Sequence, residues 1–219
     1  LLGALMAFFG LILGILYLLS FPVEPYANLA ERAQAMEDRE SLDPIPGDAF
    51  YIEGPTLRTR AWETKRRQIV DGSARTVTVT IGEINAWLEA NFRAGAPSAG
   101  DESGGLMLLP DTPNMGMSED GTLYLNLTAE ISGYGLDGDY VLSAHVRYGS
   151  GSAPSLVIDH FQIGGAVIPL PGVTGSKIVS SVLQSYGESE EYKTMREAWD
   201  RVQSVQIAEG ALVFSLGSN

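Results

Sequence analysis

The sequence predicts an α+β fold class: one N-terminal transmembrane helix followed by a domain with a twisted antiparallel sheet packed against two or three helices. Three observations carry that expectation. Leu1 to Leu19 contains no charged side chain and is almost wholly Leu, Ile, Ala, Phe, Met and Gly. Residues 121–163 alternate apolar and polar side chains between glycine-rich turns, the period of half-buried strands. Apolar positions at helical spacing recur at 81–92 and again at 176–203. The expected organisation is a transmembrane helix over 1–21, a tether with a short helix over 22–55, and a periplasmic α+β domain over 56–219.

The first element is expected to span a bilayer. At ~1.5 Å rise per residue the apolar run matches the ~30 Å hydrocarbon core, and Pro22 and Glu24 end it. It exceeds the apolar part of a secretory signal, about 7–15 residues, so it reads as a retained anchor. Residues are expected ahead of Leu1, which is not a Met. The flank beyond it carries Glu24, Glu31, Glu37, Asp38 and Glu40 against Arg32 and Arg39. The expected topology is a single-pass protein of a bacterial inner membrane, N-terminus cytoplasmic and domain periplasmic. Ala7, Gly10 and Gly14 fall on one side of this helix, and the Gly10/Gly14 spacing fits close packing against another membrane helix.

Composition narrows the function. The net charge of −13 argues against nucleic acid, whose phosphates need a basic surface, and against broad contact with anionic headgroups. The chain has no cysteine, which excludes disulfides, thiol catalysis and thiolate-held clusters.

The tether is punctuated by Pro22, Pro25, Pro44, Pro46 and Pro55, and Tyr26 to Ser41 holds the short helix. A charge reversal follows: Arg58, Arg60, Lys65, Arg66 and Arg67 surround Trp62. These form a candidate docking patch for an acidic partner or a phosphate-bearing ligand, or a helix or strand face that balances the acidic tether. Thr76 to Thr80 alternates as a strand and runs into Thr80-Ile81-Gly82-Glu83, a capping box that opens a helix. Ile81, Ile84, Leu88 and Phe92 line that helix with Trp87 beside them, and Gly95 to Gly105 reads as a loop. Leu123, Leu125, Leu127, Ala129 and Ile131 face one side of the next strand, with the other side expected wet. The return strand sets Tyr140, Leu142, Ala144, Val146 and Tyr148 inward, and Ser155 to Ile163 completes a meander. Helices are expected at Ser176–Tyr186 and Glu188–Gln203, then a hairpin of 205–207 with 212–216 turning at Glu209-Gly210.

The chemistry-bearing residues form no catalytic pattern. His145 and His160 lie on consecutive strands near register, but a zinc site needs three or four converging ligands. No nucleophile elbow, phosphate loop, dinucleotide fingerprint or zincin helix occurs. The sequon Asn126-Leu-Thr128 falls inside a strand. The chain reads as no enzyme, and neither metal nor cofactor is implied.

Thr80 to Leu88, T-I-G-E-I-N-A-W-L, resembles the helix opening of small membrane-anchored bacterial domains that continue into a twisted antiparallel sheet and a Gly–Pro segment like Gly164 to Gly172. Some of these are similar in fold to tubular lipid-binding (TULIP-like) proteins. Over about Thr76 to Leu216 the resemblance implies a helix–sheet domain with an apolar groove and assigns no catalytic residue. Two functions are expected. The first is a non-catalytic accessory or structural subunit of a larger inner-membrane complex, a bioenergetic one among the candidates, with other integral membrane subunits and the bilayer as partners. The second is a membrane-anchored domain that binds a lipid or another apolar ligand in a groove lined by Ile84, Trp87, Leu88, Leu123, Leu125 and Leu127.

Overall fold

A computed structural model describes residues 10, 13–14, 17–19, 21–38, 49–92, 107–133, 136–149, 154–168 and 190–217. In chain order the elements are β1 (Glu24–Tyr26), α1 (Leu29–Glu37), β2 (Phe50–Ile52), α2 (Ala61–Asp71), β3 (Thr76–Thr80) and α3 (Ile81–Asn91). There follow β4 (Met107–Pro110), β5 (Asn114–Met117), β6 (Leu123–Gly133), β7 (Leu136–Gly149), β8 (Ser155–Ile163) and β9 (Ala166–Val167). The chain closes with α4 (Glu190–Trp199), β10 (Val202–Ala208) and β11 (Ala211–Leu216). The fold is α+β with antiparallel sheets and several helices.

The expected N-terminal transmembrane helix is corrected. Among the described residues no helix is long and apolar enough to cross a membrane. Gly10, Leu13, Gly14 and residues 17–19 are helical, but the end of the run is bound to the domain instead of continuing. The Gly165 N–H donates to the Leu18 carbonyl at 3.1 Å, and the Phe21 N–H donates to the same oxygen at 3.2 Å. Gly164, at φ +54°, lets the turn between β8 and β9 come so close that a Cβ there would stand 2.5 Å from the Leu19 carbonyl. The backbone at the end of the run thus serves an intramolecular contact.

The largest sheet runs β4-β6-β7-β8-β9, with β5 also paired to β6. Its front face holds Leu123, Leu127 and Ala129 of β6, Leu142, Ala144 and Val146 of β7, and Ile158 and Phe161 of β8, all buried. The uneven spacing on β8 has a cause. His145 pairs with His160 and Val146 with Ile158, so Asp159 is an extra bulged residue that resets the inward phase.

The back face was expected wet, and the structure corrects this too. Tyr124, Asn126, Ser143 and Gln162 are buried there. The cover is a parallel pair, β1 with β2, from the segment read as a tether. Its backbone is held by side chains: the Asn126 amide donates to the Ile52 carbonyl at 2.8 Å and the Gln162 amide to the Phe50 carbonyl at 2.9 Å. Ser143 donates to the Asn126 side-chain oxygen at 2.8 Å, completing the polar layer. Asn126 is therefore committed to the interior.

A second antiparallel sheet, β10-β11-β3, carries the Thr80 cap. The capping box is present: the Glu83 N–H donates to the Thr80 hydroxyl at 3.3 Å, and the Thr80 N–H donates to the Glu83 carboxylate at 2.9 Å. Gly72, left-handed at φ +63°, closes α2. The β10–β11 hairpin turns at Glu209 and Gly210, both at positive φ, as a tight two-residue turn requires. The expected Gly95–Gly105 loop and Ser176–Tyr186 helix lie outside the described residues.

Candidate functional site

Between the front face of the large sheet, the smaller sheet and helices α2, α3 and α4 lies a cavity of about 640 Å³. Side chains from every surrounding element line it. Val79, Leu212 and Phe214 come from the small sheet; Leu125, Leu127, Leu142, Ala144 and Phe161 come from the large one. Ile69 of α2, Ile84, Trp87 and Leu88 of α3, and Met195 and Trp199 of α4 complete the apolar wall. The alternation that turns Leu127, Leu142 and Ala144 inward belongs to strands, and the helical spacing of Ile84 and Leu88 aims them at the same space. Leu156, Arg196 and Asp200 are the lining residues that stand exposed, and they mark where the cavity meets solvent.

Charged side chains border the wall in pairs. The Lys65 ammonium donates to the Glu83 carboxylate at 2.5 Å, joining α2 to α3 at the capping box. Arg66 of α2 holds Glu191 of α4 through two nitrogens, Nε at 2.5 Å and Nη2 on the second oxygen. The Trp87 indole N–H of α3 donates to the same carboxylate at 2.6 Å, so three helices meet at one side chain. Burial pushes the pKa of Glu191 up, but the hydrogen bonds from Arg66 and Trp87 and the guanidinium charge together outweigh it and hold it below the ordinary value. Glu83 behaves alike: burial raises it, and Lys65 and Thr80 more than reverse the effect. Burial alone pushes the Tyr148 hydroxyl, a lining group, up to about 12.

Of the residues assigned to a groove, Ile84, Trp87, Leu88, Leu125 and Leu127 line the cavity, whereas Leu123 is fully buried and does not border it. The basic cluster is distributed. Lys65 and Arg66 are in the pairs just described, Arg60 meets Glu63 at 3.3 Å, and Arg58 and Arg67 are exposed. Gly10 and Gly14 are exposed with nothing within 4 Å of a Cβ built on either, and Ala7 lies outside the described residues. His145 and His160 stand directly opposite each other, ring centroids 4.6 Å apart, with Tyr124 edge-on to His145 at 4.5 Å. Asp159 meets Arg147 at 2.6 Å. Among the described residues no group of three or more His, Cys, Asp or Glu is placed to hold a metal ion.

Sequence reasoning gave Glu191, Tyr148 and Asn85 no part in the site, although it set Tyr148 inward. Glu191 reads as an acid at a helix start, where the dipole alone accounts for it. Asn85 is buried on α3 and hydrogen-bonds both the Met115 N–H and carbonyl, at 2.7 and 2.9 Å, pinning β5 to the helix. A polar residue one step off an apolar helical stripe was the only available signal for it. A scan against protein-family models finds no match for this chain, and a search of curated proteins finds no relative.

Proposed function

We propose that the protein binds a lipid or other apolar ligand of small-molecule size in the cavity between its two sheets and three helices. The cavity itself carries the reading. Protein interiors pack like organic crystals and leave few voids larger than a water molecule. The cavity opens at Leu156, Arg196 and Asp200, and the side chains behind that mouth are almost wholly apolar. Water filling it would find few hydrogen-bond partners, whereas an apolar occupant would remove that wall from water. The volume falls within the ~300–1,000 Å³ of ligand sites. In this proposal the cavity takes the part of the groove implied by the resemblance. The accessory-subunit expectation rested on the membrane span and is not carried further.

The test is extraction of the purified full chain with organic solvent followed by mass spectrometry, alongside titration with an environment-sensitive naphthylamine dye. A stoichiometric apolar extract, or saturable dye binding at one site, is the expected result. A chain that yields no such molecule and takes up no dye overturns the proposal.

A further inference from the structure

Tyr148 is the penultimate residue of β7 and borders the cavity. Leu156 of β8 stands opposite it, and the Trp199 ring lies 6.2 Å from its own. Trp199 has already committed its indole N–H to the Pro154 carbonyl at 3.0 Å. The Tyr148 hydroxyl has no hydrogen-bond partner among the described residues, although every sealed side-chain nitrogen and oxygen among them has one. The hydroxyl is therefore not sealed and keeps open surface. Yet its surroundings are dense enough to push its pKa up to about 12. Both hold together when the surface it keeps is the cavity wall.

A phenol in that position stays protonated at neutral pH and offers a hydrogen to whatever enters. Leaving a buried donor unmade is unfavourable, so the contents of the cavity decide whether this group is satisfied. The charged groups that could neutralise an ion are engaged, Lys65 by Glu83 and Arg66 by Glu191, or exposed as an opposite-sign set, Arg196 and Asp200. An ionised group beside Tyr148 would lose its hydration without gaining a counter-charge. An uncharged acceptor loses far less and gains the hydrogen bond.

We infer that Tyr148 is the hydrogen-bonding handle of the cavity and that the ligand carries an uncharged oxygen acceptor, an ester or ketone carbonyl, on an otherwise hydrocarbon body. This deepens the reading of the cavity as an apolar-ligand site and rests on it.

The experiment measures displacement of the naphthylamine dye by methyl undecyl ketone and by n-tridecane, from the natural chain and from Tyr148→Phe. Phe keeps the ring and removes only the hydroxyl, and a thermal melt checks that the variant folds. Tyr148→Phe is expected to weaken the ketone about tenfold, the scale of one hydrogen bond, and the alkane by no more than about twofold. Equal changes for ketone and alkane, or none for either, overturn the handle while the apolar-ligand reading stands. If dye binds the natural chain and neither compound displaces it, the handle falls alone; if the natural chain takes up no dye, the cavity reading falls and the handle falls with it.

Discussion

Arg66, Glu191 and Trp87 show how much three side chains can decide at one point. The guanidinium fork takes both carboxylate oxygens and the indole takes one, while the side chains retain only 28% and 14% of their surface for Arg66 and Glu191. Removing Arg66 leaves a half-desolvated carboxylate with a single donor. Arg66→Ala is expected to destabilise by about 1–3 kcal/mol at neutral pH, less than a fully buried pair because solvent still reaches both groups. The sign with pH follows from the lowered pKa of Glu191 and Glu83. Their contribution is present in full above the ordinary carboxylate value of 4.5 and is lost as pH falls through the folded value. Urea titrations from neutral pH downward should show the natural chain losing stability below that value and Arg66→Ala losing less. A slope unchanged in the variant would refute the role given to Glu191.

At the scale of elements, two glycines with similar surroundings on paper predict opposite outcomes. A Cβ at Gly116 would stand 1.8 Å from the Ile52 carbonyl, so β2 and β5 would have to part. A Cβ at Gly82 meets the Leu57 side chain at 2.7 Å, and Leu57 is 41% exposed and free to swing away. Gly116→Ala should therefore cost several kcal/mol, on the scale of a forced backbone shift. Gly82→Ala should lie within about 1 kcal/mol of neutral, since Ala improves the helix. Chemical denaturation of the two variants checks both, and equal losses would show that the Leu57 contact is not yielding. The same elements explain what was legible in the sequence. The Thr80 box lies within four residues and is readable, because its partners are sequence neighbours. The cover of the back face was not readable. Its anchors, Asn126 and Gln162, occupy positions with the period of a wet face, and their partners lie more than 70 residues away. The bulge at Asp159 was hidden likewise, since one extra residue changes phase without changing composition.

Over the whole molecule, periodicity shows which faces are apolar but not whether the faces meet. A void is a property of the arrangement, and no residue in it announces it. That is why five of the six groove positions could be named while the enclosing wall from β11 and α4 could not. The void also makes an unusual demand on substitution. Ala144 is buried and borders it, so a larger side chain there competes with a ligand for the same space. Ala144→Phe should abolish dye uptake while lowering the melting temperature by no more than a few degrees, because volume gained in the cavity offsets part of the overpacking. A marked fall in melting temperature with uptake retained would show that the side chain goes elsewhere.

One wall of the cavity comes from β11, whose partner in the small sheet is β3, through Ala211 opposite Thr80 and Leu212 opposite Val79. A ribosome delivers β3 and its capped helix early and β11 only after the meander and α4. Until then Val77 and Val79 have no strand to pair with, and Ile84 and Leu88 face an unfinished chamber. Such distant pairing is slow to form. A growing chain therefore carries an open greasy surface for much of its synthesis, and whatever the chamber holds must enter during or after its closure.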